Sequence, residues 1–219
     1  GRPDAPHPAE EPAIEYAVKM RRFPQENLLD RWAVKDQLKP AHIDQIAEEI
    51  ARFHGDIPAA PGDTPYGRPE TLYKPMKENF DQLRESQEEP RRRIRAQEQE
   101  TWVAAEYARL RPLLEQRRQD GFVRECHGDL HLGNLAAIEG RIVPFDCIEF
   151  NPALRWIDVM SELAFLLMDL EHRERSALAW RLLDRYLQRT GDYGGAALLR
   201  FYKHYRAMVR AKVTLIRLG

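Results

Sequence analysis

The chain has 219 residues, 32% of them charged, and its positive and negative side chains nearly cancel to a net charge of −1. That length supports one substantial domain or two small ones. The charge balance gives no bulk attraction to nucleic acid or to an anionic membrane.

Residues 1–13, with Pro3, Pro6, Pro8 and Pro12, read as a loop and lack the apolar segment of a secretory signal. Ile14 to Met20 alternates and carries β-branched and aromatic residues, which predicts a strand ended by Pro24. Ala41, Ile43, Ile46, Ala47, Ile50 and Phe53 recur at helical spacing and predict a helix closed at Gly55. Asp56 to Pro69 is rich in proline and glycine and reads as a loop. Met76, Phe80 and Leu83 mark one helical stripe, and Val103, Tyr107, Leu110 and Leu114 mark another. Between them lies an almost wholly polar stretch. Its basic triplet Arg91-Arg92-Arg93 reads as a solvated helix face rather than a phosphate or nucleic-acid contact.

Phe122 to Cys126 predicts a short strand, and Leu135–Ile138 and Arg141–Val143 flank Glu139-Gly140 as a hairpin with a tight turn. Ala153 to Leu170 is apolar on nearly every side and predicts one buried helix. Its longest uncharged apolar run, Leu163 to Met168, falls far short of the ~20 residues that a membrane helix requires. Asp158 lies early in that helix and needs partners, for which the amides near His127 to Asp129 are expected. Two more helices, at about 174–189 and 195–218, complete an α+β chain that is mostly helical, with a small sheet carrying the polar site. Cys126 and Cys147 do not make a secreted disulfide scaffold. They are expected to be reduced packing residues of a cytoplasmic protein.

The chemistry concentrates in Cys126-His127-Gly128-Asp129-Leu130-His131-Leu132-Gly133-Asn134 and, twelve residues after the asparagine, Asp146. Phosphoryl transfer depends mainly on position and charge neutralisation. Asp129 is suited to orient an acceptor hydroxyl and take its proton. Asn134 and Asp146 offer the oxygen ligands that Mg2+ prefers, and a hairpin between them lets its ends meet. His127 and His131 read as side chains that fix the loop through backbone hydrogen bonds. Glu149 reads equally as a metal neighbour or a solvated hairpin end. The fragment Asp129-Leu130-His131 also occurs in metallophosphoesterases, which need several further carboxylate and histidine ligands. His7, His42, His54, His172 and His204 fall on a tail or on helices without such a block.

The pattern His-Gly-Asp-x-His-x-x-Asn, a hairpin and then Asp resembles the aminoglycoside phosphotransferase and choline kinase branch of the protein-kinase-like superfamily. It is more closely similar to uncharacterised bacterial proteins of the aminoglycoside phosphotransferase family, some joined to a C-terminal P-loop ATPase domain. Runs similar to residues 15–24, to Phe145-Asp146-Cys147-Ile148-Glu149-Phe150 and to Arg155-Trp156-Ile157-Asp158 carry the likeness over about residues 14–218.

The resemblance implies a kinase-like large lobe over residues 25–219, with 14–24 as a small-lobe edge strand and hinge. It implies Asp129 as the catalytic residue, Asn134 and Asp146 as Mg2+ ligands, and Asp158 as the buried loop anchor. The backbone of Val18, Lys19 and Met20 would then meet the adenine of ATP. Ala17-Val18-Lys19 imitates the strand whose lysine pairs with nucleotide phosphates. The helix and two strands that should follow that lysine are missing, so Lys19 is assigned to the hinge. No glycine-rich loop precedes it, and Gly219 directly follows a helix, so a longer natural chain is expected. The implied function is ATP- and Mg2+-dependent transfer to a hydroxyl of a small molecule. The rival is a non-catalytic nucleotide-binding module that regulates a fused ATPase. No acidic cluster predicts a polycationic acceptor, and neither nucleic acid nor membrane is expected as a partner.

Overall fold

The computed structural model describes residues 22–86 and 90–218, and within them the side chains outside 83–93 and 214–218. The strand expected at Ile14 to Met20, its hinge residues Val18, Lys19 and Met20, and the side chains of Arg91, Arg92 and Arg93 lie outside the described residues. The described elements are α1 (Leu29–Val34), α2 (Pro40–Asp56), α3 (Pro69–Ser86), α4 (Pro90–Gln119), β1 (Val123–Glu125), β2 (Leu135–Ile138) and β3 (Arg141–Pro144). They continue with α5 (Pro152–Arg155), β4 (Trp156–Asp158), α6 (Val159–His172), α7 (Ser176–Thr190) and α8 (Leu199–Leu218).

Helix α2 starts with Pro40 in its first turn, where a missing N–H costs nothing. Ile43, Ile46, Ala47, Ile50 and His54 recur on its buried face. The helix runs through the expected stop at Gly55 and ends at Asp56. Ile57 is extended, with ψ 150, because Pro58 behind it disfavours the helical conformation. Its apolar face meets α7, while α6 packs between α7 and α8, and α3 lies along α4. Residues Val159 to Leu170 of α6 are all buried, which places this helix at the centre of the core. No helix among the described residues is long and apolar enough to cross a membrane.

The single helix expected over Ala153–Leu170 is broken into three pieces. Asn151 Oδ1 accepts the Ala153 N–H at 3.0 Å and starts α5, and Asp158 Oδ1 accepts the Met160 N–H at 2.8 Å and starts α6. Between these two caps, Trp156, Ile157 and Asp158 form β4, antiparallel to β1, with Val123 opposite Asp158. One N-cap just before the apolar run starts α5, and a second within it restarts the helix as α6 after the β4 break. The hairpin forms as predicted, with Leu135 opposite Pro144 and Ile138 opposite Arg141. Glu139 and Gly140 both take positive φ, 51 and 77, the left-handed pair that suits strand twist in a two-residue turn.

Asp158 is only 5% exposed and finds its partner in α4. Arg117 donates through Nε to Asp158 Oδ2 at 2.7 Å and through Nη2 to Oδ1 at 2.9 Å. It also donates through Nη1 to Asp192 Oδ1 at 2.6 Å and through Nη2 to Asp192 Oδ2 at 2.8 Å. Burial opposes the guanidinium charge, but these two carboxylates outweigh it and raise its pKa. Asp192 in turn accepts the Gly195 N–H in the turn that leads to α8. One arginine therefore ties the end of α4 to the start of α6 and the α7–α8 connection. Replacing it by Arg117→Met strands two buried carboxylates. Urea unfolding should show a loss of about 3–5 kcal/mol, and a loss near zero would show that the cluster is not structural.

Candidate active site

The loop between β1 and β2 has little regular structure, so its shape is set by what grips its backbone. Gly128 takes φ +87, and a Cβ there would stand 2.8 Å from the Leu154 carbonyl oxygen, so no other residue fits without strain. Its N–H donates to Glu162 Oε1 at 2.7 Å, and its carbonyl accepts from Arg206 Nη1 at 3.1 Å. Four residues on, the Leu132 N–H donates to Asp169 Oδ2 at 3.0 Å. Glu162 and Asp169 are seven residues apart on one face of α6, about 10 Å along its axis, and they hold the two ends of the loop.

Neither acid stands alone. Glu162 Oε2 meets His54 Nε2 at 2.7 Å, and His54 Nδ1 meets the Tyr186 hydroxyl at 2.9 Å. Burial pushes the Glu162 carboxyl up, but His54 and the Gly128 amide outweigh it and hold its pKa below the ordinary value. Asp169 pairs with Arg173 at 3.3 Å and with Arg210 at 3.2 Å.

The predicted residues are placed as follows. His127 Nδ1 accepts the Asp129 N–H at 3.3 Å, and Nε2 lies 2.7 Å from the Phe145 carbonyl, so an Nε2–H tautomer satisfies both. The His127 carbonyl also accepts the Ile148 N–H at 3.0 Å. The segment carrying Asp146 is thus clamped to the motif loop on both sides of that residue. The Phe145 N–H donates to the Asn134 carbonyl at 3.1 Å and extends the hairpin ladder, so the chain reaches Asp146 one residue past the Asn134 pairing. Asp146 is exposed and takes φ +61, a left-handed conformation that aspartate tolerates better than most residues.

Asn134 is buried, and its Nδ2 donates to the Asp129 carbonyl at 2.9 Å and to Asp129 Oδ2 at 3.1 Å. Its Oδ1 is left as the open acceptor of the amide. An amide oxygen and an exposed carboxylate are hard-oxygen donors of the kind that Mg2+ takes, and the Phe145–Asn134 backbone bond brings the chain that carries Asp146 to Asn134. His131 Nδ1 accepts the Gly133 N–H at 3.0 Å, and Nε2 stands 3.6 Å from Asp129 Oδ2, a distance of charge contact rather than hydrogen bonding. Burial pushes the Asp129 carboxyl up, but His131, Arg206 and His127 outweigh it and lower its pKa, so Asp129 is ionised at neutral pH.

Asp158 makes none of the loop contacts expected of it. It faces Arg117 and the Met160 amide, and the loop amides go to Glu162 and Asp169 instead. The sequence carries a signal for these two, since they are the only charged residues in the apolar run Val159 to Leu170 and lie two turns apart. His54 and Arg206 had no such signal, because only the packing of α2 and α8 brings them to the loop. Glu149 is exposed, and its carbonyl accepts from Arg155 Nη1 at 3.2 Å. Both cysteines are free, and burial pushes the Cys126 thiol well up, which suits a packing residue rather than a nucleophile.

The mostly helical body with its small hairpin is compatible with a kinase-like phosphotransferase fold. The chain matches the family model described as the phosphotransferase enzyme family over residues 8–199, and it belongs to that family, within the protein-kinase-like superfamily. It is 30% identical over 203 residues to uncharacterised proteins of Mycobacterium tuberculosis and Mycobacterium bovis. The alignments cover 93% of this chain and 41% of each relative, so the chain spans about two-fifths of the length of the curated relatives it matches. No solved structure matches it.

A lowered Glu162 pKa stabilises the fold above the ordinary value of 4.5, and that contribution is lost as pH falls through the lower folded value. Glu162→Gln keeps an acceptor for Gly128 but loses the charge beside His54. Urea unfolding at neutral pH should show it about 1.5–3 kcal/mol less stable. The gap should close as pH drops below 4.5, and a gap independent of pH would show that the carboxylate charge is not what matters.

Proposed function

We propose that this chain carries the catalytic lobe of an ATP- and Mg2+-dependent phosphotransferase acting on a hydroxyl of a small molecule. The observation that carries the reading is the clamp at His127, which draws the Asp146 segment onto the loop where Asn134 already grips Asp129. Asn134 Oδ1 and the Asp146 carboxylate would hold Mg2+, which when bound with the nucleotide neutralises phosphate charge.

Asp129 orients the acceptor. One oxygen is held by Asn134, and the other is open to a hydroxyl. As the new O–P bond forms and the bond to the departing ADP breaks, the hydroxyl proton passes to Asp129. A carboxylate of lowered pKa is a weak base, which suffices because the transition state is loose and the proton leaves late. His131 positions the same carboxylate, and Glu162 and Asp169 keep the loop from shifting under it.

The hinge role of Val18, Lys19 and Met20 belongs to the same proposal. In its support, Phe23 packs edge-on against Phe145 at 5.2 Å, and Leu28 bridges Ala136 of the hairpin. A binuclear phosphoesterase centre finds less support. Both ring nitrogens of His127 serve backbone groups. Among the described residues the one cluster of three potential metal ligands is His54, Cys126 and Glu162, buried and with His54 and Glu162 hydrogen-bonded to each other.

The test combines binding and transfer. Asp146→Ala should abolish the Mg2+-dependent part of ATP binding, measured by calorimetry with and without the metal. Equal Mg2+-dependent binding by the parent and the variant removes the metal role assigned to Asp146. Asp129→Asn should lower phosphoryl transfer about 10²–10⁴-fold while ATP affinity stays nearly unchanged. Retained turnover would mean that another group handles the acceptor.

A further inference from the structure

A pocket of about 510 Å3 is lined by α3, α4, the α5–β4 segment and α8, and its Arg206 connects it to the motif loop by donating to the Gly128 carbonyl. That volume is in the range of small-molecule sites. Its walls are largely apolar, with Leu72 and Pro75 from α3, Leu114 from α4, Leu154, Trp156 and, from α8, Tyr205. Two polar groups in this lining stand out: a hydroxyl without a hydrogen-bond partner, and a guanidinium that meets carbonyls and the rings of Phe165 and Tyr205 but no carboxylate. Ser161 is 2% exposed, and its hydroxyl has no hydrogen-bond partner. Arg206 is 6% exposed, and its Nε and Nη1 donate to the neutral carbonyls of Ser161 and Gly128 at 3.2 and 3.1 Å.

Arg206 is an exception among the buried charges. Arg117 has two aspartates, Glu162 has His54, and Asp169 has two arginines. Arg206 forms no ion pair among the described residues; Asp129 feels its field without pairing with it. A buried cation without an anion is costly, and so is a buried hydroxyl without a partner. The two adjoin, since Arg206 bonds the carbonyl of Ser161 itself. A ligand carboxylate would answer both at once, because a guanidinium fork matches its geometry and a hydroxyl can donate to it. Each acid of the lining already has a cation: Glu70 pairs with Arg111 at 2.5 Å, Glu78 with Lys74 at 4.0 Å and Asp158 with Arg117 at 2.7 Å.

We propose that this pocket binds an organic acid with an apolar body of aromatic size, its carboxylate held by Arg206 and Ser161. Its use as the phosphoryl acceptor, a hydroxylated acid, rests on the phosphotransferase reading above; the binding does not. The probe is 2-naphthoate, its binding to the intact protein followed by saturation-transfer NMR without nucleotide. Ala153 lines the pocket and is exposed, so Ala153→Trp plugs it without disturbing the core. It should weaken naphthoate at least about tenfold. Ser161→Ala should weaken it about two- to tenfold, the worth of one hydrogen bond, with no fall in the thermal midpoint because the hydroxyl has no partner to lose. The uncharged 2-naphthol should bind about tenfold more weakly than naphthoate, and kanamycin, a polycation, should not compete. Naphthoate binding that ignores Ala153→Trp overturns the proposal, as does displacement by kanamycin. Naphthoate binding that persists in a protein unable to bind Mg2+-ATP would instead sink the phosphotransferase reading and leave the pocket standing.

Discussion

The hydrogen bond from the Gly128 amide to the buried Glu162 carboxylate is the constraint on which the site depends. It joins the least regular part of the chain to the most buried helix. Glu162 is 1% exposed, so its charge must be met, and His54 and Gly128 meet it from opposite sides. Because His54 is itself held by Tyr186, the position of the motif loop is transmitted to α2 and α7. Displacing the loop would leave a buried carboxylate under-satisfied, which costs far more than an exposed hydrogen bond.

Helix α6 shows how an apolar core can carry such groups. Asp158, Glu162 and Asp169 are all buried, and each engages a different set of partners. Asp158 secures the helix start to Arg117, whereas the other two grip the loop. The division explains why the expected role of Asp158 passes to its neighbours. It faces α4, while the loop lies along the next three turns of α6. Arg206 stands apart from this pattern of matched charges, and that is why the pocket beside it draws the inference made above.

Membership of the phosphotransferase enzyme family defines a chemistry more narrowly than it defines a substrate, since one fold hosts many functions. What distinguishes this chain is therefore sought in its own side chains. Arg206, which holds the Gly128 carbonyl, also lines a largely apolar pocket without pairing with a carboxylate, and the hairpin returns the chain carrying Asp146 to Asn134.

Local pattern determined a great deal. Helix α2, the Glu139-Gly140 hairpin turn, the strand before the motif and the return of the chain to Asn134 at Phe145 follow from periodicity, turn chemistry and the reach of a short hairpin. The family itself was legible in one loop and one hairpin. Tertiary structure alone decided the rest. A run of apolar residues does not reveal that Asn151 caps a helix at its edge and Asp158 another inside it, because capping depends on where the preceding chain is held. Nor does sequence separation reveal that His54 meets Glu162 across 108 residues, or Arg206 meets Gly128 across 78. Buried charges pair with whatever packing brings near, and packing is a property of the whole chain rather than of any segment.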